Sequence, residues 1–106
     1  MIHHLAEPDA WVATTPQRAY EAASLATEGF VHLSTPTQLS ITFDRFYADR
    51  TDLVLLDVDD AHPALTDLLR WEEIPSGEVF PHLYGPLPIE AVMRARPNWR
   101  PGIDEA

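Results

Sequence analysis

Cysteine and lysine are both missing from this sequence, and glycine occurs only four times. Without cysteine there is no disulfide framework, no thiolate metal site and no cysteine nucleophile. Without lysine, all seven basic residues are arginines, set against 17 acidic residues for a formal net charge of −10. A chain this acidic repels polyphosphate backbones and anionic lipid surfaces, so neither an extended nucleic acid nor a membrane is an expected partner. No stretch approaches the ~20 consecutive apolar residues that a spanning helix needs. The opening MIHHLAEPDAW has no basic region followed by an apolar run, so no secretion signal is expected. These absences together point to a soluble cytoplasmic protein.

Of the 106 residues, 45% are hydrophobic. That supports one compact domain, which at this size buries roughly 60–70% of its unfolded surface. The single domain is expected over 1–97, followed by a polar tail over 98–106 that ends in Asp104 and Glu105. Ten prolines are spread along the chain. Pro81, Pro86, Pro88, Pro97 and Pro101 cut its last quarter into short pieces, which rules out a long helix there.

Ile2–Leu5 reads as a first strand, followed by weak helices at about Asp9–Ala13 and Tyr20–Thr27, the second stopped by Gly29. FVHLS, Phe30–Ser34, alternates as a strand. Thr35 as cap, Pro36 in the first turn and Gln38 three residues after the cap form a capping-box pattern. Behind it Leu39, Phe43, Phe46 and Tyr47 recur at helical spacing, giving one principal helix to about Ala48. The continuous apolar run of Leu53–Val58 is the profile of a central strand covered on both faces. Pro63–Asp67 suits one helical turn, while Leu68–Ile74, Val79–Tyr84 and Ala91–Ala95 suit strands. Strands outnumber long helices without alternating with them, so the expected class is α+β.

Five histidines carry most of the chemical interest, because imidazole is the usual base and metal ligand near neutral pH. His62, before Pro63, reads as a solvated loop residue. His3 and His4 are adjacent in a strand and must leave on opposite faces, so at most one enters a shared site. In FVHLS, Val31 and Leu33 share one face, while Phe30, His32 and Ser34 share the other. The helix start that follows offers backbone N–H groups to an anion, although Ser34 and Thr35 serve equally well as simple caps. Glu72 shares a face with Arg70 and Ile74, and a carboxylate beside large apolar groups would have a raised pKa. Surface pairing with an arginine is the plainer alternative. Phe80, His82 and Tyr84 share another face, two aromatic platforms around an imidazole that suit a flat ligand or an ordinary core. A zinc site from His4, His32 and His82 or Glu72 lacks every usual spacing signature, and there is no G-x-S-x-G elbow for a serine nucleophile. No metal is therefore expected.

IHHL, the Trp11 segment, SLATEGFVHLS, Gln38, LVLLDVD, RWE at Arg70–Glu72 and FPHLYGPLP together resemble the bacterial family catalogued as domain of unknown function 952, from Ile2 to about Arg96. That family in turn is similar to a small version of the ADP-ribosyltransferase fold, a split antiparallel β-sandwich that grips NAD between two sheets. The resemblance implies catalytic positions at His4, His32 and Glu72. It implies that His4 hydrogen-bonds the ribose or nicotinamide amide and that His32 holds the nicotinamide ribose. Ser34 to Gln38 would receive the diphosphate, and His82 and Tyr84 would close over a ring. Glu72 would bind the ribose 2′-hydroxyl and stabilise the oxocarbenium-like centre as nicotinamide leaves. VHLS is also similar to the same stretch in RNA 2′-phosphotransferases. Their basic nucleic-acid-binding portion has no counterpart here, so the implied partner is a small nucleotide or phosphorylated molecule. A non-catalytic binding module on the same scaffold, a metal-assisted hydrolase and purely structural histidines are the competing readings.

Overall fold

A computed structural model describes residues 1–102. Within these described residues six strands form two three-stranded antiparallel sheets. Strands β1 (Ile2–Ala6), β3 (Val54–Val58) and β6 (Val92–Arg96) make the first, in the order β1-β3-β6. Strands β2 (Val31–His32), β5 (Val79–Leu83) and β4 (Leu69–Glu73) make the second, in the order β2-β5-β4. Three short helices, α1 (Pro8–Val12), α2 (Ala23–Glu28) and α3 (Leu39–Phe46), pack around them. The molecule is thus a mixed α and β domain with few helices, the coarse class its sequence pattern implies. Among the described residues no helix is long and apolar enough to cross a membrane.

The apolar run Leu53–Val58 becomes the middle strand of its sheet, and every residue of β3 is buried. Val54, Leu56 and Val58 point into the main core with Ile2, Val31, Leu33, Leu83 and Leu87. Leu53 and Leu55 turn the other way, onto Leu39 and Phe43 of α3, Leu5 and Trp99. Two-sided burial of this kind is why the run carries no polar alternation. Its one exception, Asp57, is a buried carboxylate and needs partners. Arg96 Nη2 donates to both of its carboxylate oxygens, at 2.6 and 2.9 Å, and His3 Nδ1 lies 2.9 Å away, opposite Asp57 in the β1–β3 register.

Several boundaries differ from expectation, each for a local reason. Tyr20 lies outside α2 because its backbone pairs with Leu87 on both sides, at 2.9 and 2.8 Å. Gly29 does stop that helix, at φ +89°, where its N–H reaches the Leu25 and Ser24 carbonyls. Thr35 does not cap α3. The helix starts four residues later, and only half of the capping box forms, with Thr35 N–H donating to Gln38 Oε1 at 3.0 Å. The apolar stripe of α3 narrows to Leu39 and Phe43, with Tyr47 partly buried, while Phe46 is 68% exposed. Trp99 is only 7% exposed and its N–H donates to the Leu53 carbonyl, so the packed chain continues past the boundary expected at 97. Of the expected polar tail, Asp104 and Glu105 lie outside the described residues.

Candidate functional site

A backbone bridge joins the two sheets. His3 and Ser34 exchange backbone hydrogen bonds of 2.8 Å in each direction, so the start of the first sheet is stitched to the end of β2. Strand alternation then decides the two neighbouring histidines. His3 turns towards Asp57, and His4 turns towards β2 and Tyr20. His4 Nδ1 lies 2.6 Å from the His32 carbonyl oxygen, which can only accept, so Nδ1 carries the proton. Nε2 of the neutral ring is then a lone pair, and it accepts from the Tyr20 hydroxyl at 2.7 Å. Burial holds the His4 pKa down to about 4, against the favourable bond to the His32 carbonyl. His3 is also lowered, because burial outweighs the opposing hydrogen bond and charge of Asp57.

The second half of the site comes from antiparallel register. His32 pairs directly with His82 across β2 and β5, and His82 pairs with Arg70 across β5 and β4. Glu72 pairs with Phe80, which makes it the diagonal neighbour of His82 on the same face. Glu72 Oε1 accepts from His82 Nδ1 at 2.9 Å and from the Tyr84 hydroxyl at 2.5 Å. Phe30 stacks on the His82 ring at 4.1 Å between centroids, and His32 meets that ring edge-on at 5.5 Å. Arg70 lies over the Tyr84 ring, 5.3 Å from its centre.

The expected raised pKa of Glu72 is corrected by this arrangement. Its carboxyl is held below the usual range, first by the Tyr84 hydroxyl and then by His82. Tyr84 is pushed up in turn by the same bond to Glu72. The sequence places Glu72 on a face with Arg70 and Ile74; the pairing of β4 with β5 adds His82 and Tyr84, whose donors favour the ionised form.

A cleft of about 990 Å³ opens over the junction of the sheets, between α2 on one side and α3 on the other. His4, His32, Ser34 and His82 line it together. Glu72, Tyr84 and Gln38 do not line it. Glu72 and Tyr84 stand behind His82, away from the lining surface. Gln38 is buried and bolts α3 to the second sheet, its amide donating to the Val79 carbonyl at 2.8 Å. Within the stretch Ser34–Gln38, where an anion site was expected, the Ser34, Thr35 and Gln38 N–H groups donate to the His3 carbonyl, Gln38 Oε1 and the Thr35 carbonyl. Ser34 Oγ lies 3.2 Å from Thr42 Oγ1.

Other lining residues escaped the sequence reading. Tyr20 was expected to open a helix, and only the tertiary fold brings its hydroxyl to His4. Ile41 and Phe46 are 56% and 68% exposed and stand at the cleft off the buried stripe of α3, an apolar surplus that was the available signal. Arg45 is the cation of the lining, against the carboxylates Glu7, Asp9, Glu28 and Glu78. Glu28 is engaged with His32 at 2.9 Å. Among the described residues no three His, Asp or Glu side chains gather as a metal ligand set.

Residues 5–95 match the family described as protein of unknown function (DUF952). The crystal structure of protein CC0527 from Caulobacter crescentus aligns with a TM-score of 0.79 at 33% identity, covering 91% of this chain and 83% of that one. A double-substitution variant of the same protein aligns with a TM-score of 0.80 at 34% identity over the same shares. No curated protein matches the chain.

Proposed function

The chain belongs to the DUF952 family of proteins of unknown function, and on that premise we propose that its cleft binds a nucleotide-type small molecule, NAD first among them, for ADP-ribosyl or phosphate transfer. One observation carries this reading. Separate strands deliver His32 and His82 side by side, under the Phe30 ring, into a cleft at the upper end of the ~300–1,000 Å³ typical of small-molecule sites. The similarity of the family's sequence motifs to the ADP-ribosyltransferase fold supports the same assignment.

The lining fits the nicotinamide-riboside end of NAD. Phe30 and His82 offer flat surfaces for a ring, while His32 and Ser34 offer polar atoms for ribose hydroxyls. The carboxylates of the lining oppose a buried diphosphate, which fits only near Arg45 and the open side. When bound, NAD supplies a ribose carbon with nicotinamide as its leaving group. Both ring nitrogens of His4 are engaged, so its role is to hold Tyr20 and the His32 carbonyl in place unless the ligand displaces the Tyr20 hydroxyl. The partner is a small molecule; the net charge of −10 opposes an extended nucleic acid or an anionic membrane.

A non-catalytic binding module is the second reading, favoured by the Glu72 carboxylate, which is turned onto His82 and Tyr84 instead of the cleft. Calorimetry with NAD and ADP-ribose separates the possibilities. The His32 side chain is about half exposed, so His32→Ala spares the backbone carbonyl that His4 uses. Saturable heat in wild type, lost in His32→Ala, is the expected result. Heat without nicotinamide release favours the binding module, and no heat from either ligand contradicts the reading.

A further inference from the structure

We infer that His82 is the general base of this cleft, oriented by the Glu72 carboxylate, which Tyr84 fixes from its other side. The inference rests on the proposed ligand class and assigns Glu72 a positioning role behind the imidazole, in place of direct contact with ribose.

The five histidines separate by their hydrogen bonds. His4 has both nitrogens engaged, and His3 is committed to Asp57. His62 Nδ1 accepts from the Ala64 N–H and caps the 3₁₀ turn Pro63–Leu65. His32 pairs with Glu28, but both side chains are about half exposed and water competes for the bond. His82 alone combines a ring only 7% exposed, a place in the cleft lining and a carboxylate that is itself anchored.

The tautomer follows from the donors. The Glu72 carboxylate is ionised and only accepts, so the proton between it and His82 belongs to Nδ1. In the neutral ring Nε2 is then a bare lone pair, and among the described residues no hydrogen bond engages it. Stacking on Phe30 and edge contact with His32 limit the ring's rotation. A carboxylate that fixes one nitrogen and leaves the other free is the arrangement that general-base catalysis needs.

In the step assigned to His82, the O–H bond of a ligand hydroxyl or of water breaks. Its proton forms an N–H bond with the Nε2 lone pair, and the electron pair left on oxygen forms a C–O bond to the ribose carbon as the C–N bond to nicotinamide breaks, nicotinamide leaving with that bond's electron pair. The imidazolium keeps its Nδ1–H on Glu72 and returns the second proton to the leaving group or to solvent. The substrate class is a ring-bearing nucleotide whose acceptor is a hydroxyl.

Nitrogen-15 NMR of the full chain reads the tautomer directly. Diethyl pyrocarbonate, which acylates unprotonated imidazole, reads the reactivity of Nε2 by mass spectrometry. Wild type should show the Nδ1–H form of His82 and acylation there, slowed by NAD, while His3 and His4 stay unmodified. Glu72→Ala should lose both the tautomer and the acylation. Glu72→Gln, whose amide oxygen still accepts from Nδ1–H, should retain them. Nicotinamide release at saturating NAD should fall about 100-fold or more in His82→Gln. An Nε2–H ring in wild type overturns the inference, as does acylation indifferent to Glu72→Ala; if that variant does not fold, the wild-type tautomer and Glu72→Gln decide. NAD heat with an inert His82, or without nicotinamide release, also overturns it and leaves the binding reading intact. A reactive Nδ1–H ring with no NAD heat overturns the ligand assignment and leaves the base.

Discussion

Acidification probes the His4 junction that joins the two sheets. The unfolded chain protonates His4 with an ordinary pKa of 6.5, whereas burial lowers the folded value to about 4. Between those values the unfolded state binds more protons, so stability rises with pH across the window and falls as pH drops through it. The contribution is fully present above about pH 6.5 and is exhausted below about pH 4. A difference of this size corresponds to about 3 kcal/mol, of which about 2 kcal/mol is lost on going from about pH 7 to about pH 4.5. His3, lowered in the same direction, adds to the loss. Carboxylates whose folded pKa is depressed, Asp60 among them, also lose their contribution as pH falls, so wild type alone does not isolate the effect. Urea unfolding of wild type and His4→Gln over this pH range does isolate it. His4→Gln should be the less stable near neutrality, and the gap should close by about 2 kcal/mol at about pH 4.5. A gap that stays constant with pH would refute the reasoning, because it would mean His4 does not titrate differently in the two states.

Asp57→Ala removes the acceptor of bonds from His3 and Arg96 in the middle of a buried strand, and should cost about 3–5 kcal/mol in denaturant unfolding. Trp99→Ala removes the ring that packs edge-on against Phe43 at 5.8 Å, and a loss of about 3 kcal/mol or more by the same method would distinguish a core residue from a fraying tail. Gly29→Ala places a side chain at φ +89° with no atom within 4 Å of the new Cβ, so thermal unfolding should show a backbone cost alone, about 1–2 kcal/mol.

Much of the fold was legible because its elements obey short-range rules. Leu53–Val58 announced a two-sided strand, and alternation in FVHLS put Val31 and Leu33 in the core. Evenness of register did the same for the site. Glu72 was expected on a face with Arg70 and Ile74, and Phe80, His82 and Tyr84 on another, and antiparallel pairing of β4 with β5 makes those one face. What alternation could not state was who donates to whom. Glu72 was expected to be raised by apolar neighbours, but two donors reach it, and hydrogen bonding to the ionised form dominates.

Long-range contacts account for the other differences. Tyr20 has helix-compatible neighbours in sequence, but its backbone is drawn into pairing with Leu87, 67 positions downstream by their numbers. Gln38 carries a capping-box signature, yet its amide is committed to β5, which no local pattern contains. Pro97 and the acidic end suggested a tail, while the pocket beneath Phe43 and Leu53 that accepts Trp99 exists only after folding.

The claim on which the functional account depends is that His32 and His82 jointly contact a nucleotide-type ligand. Histidine side-chain resonances followed during titration with NAD and ADP-ribose test it most directly. The account predicts saturable shifts at His32 and His82 with one common dissociation constant, and none at His62, which caps a turn elsewhere. Resonances of His32 and His82 that stay in place at saturating ligand, or that follow two unrelated curves, would contradict it.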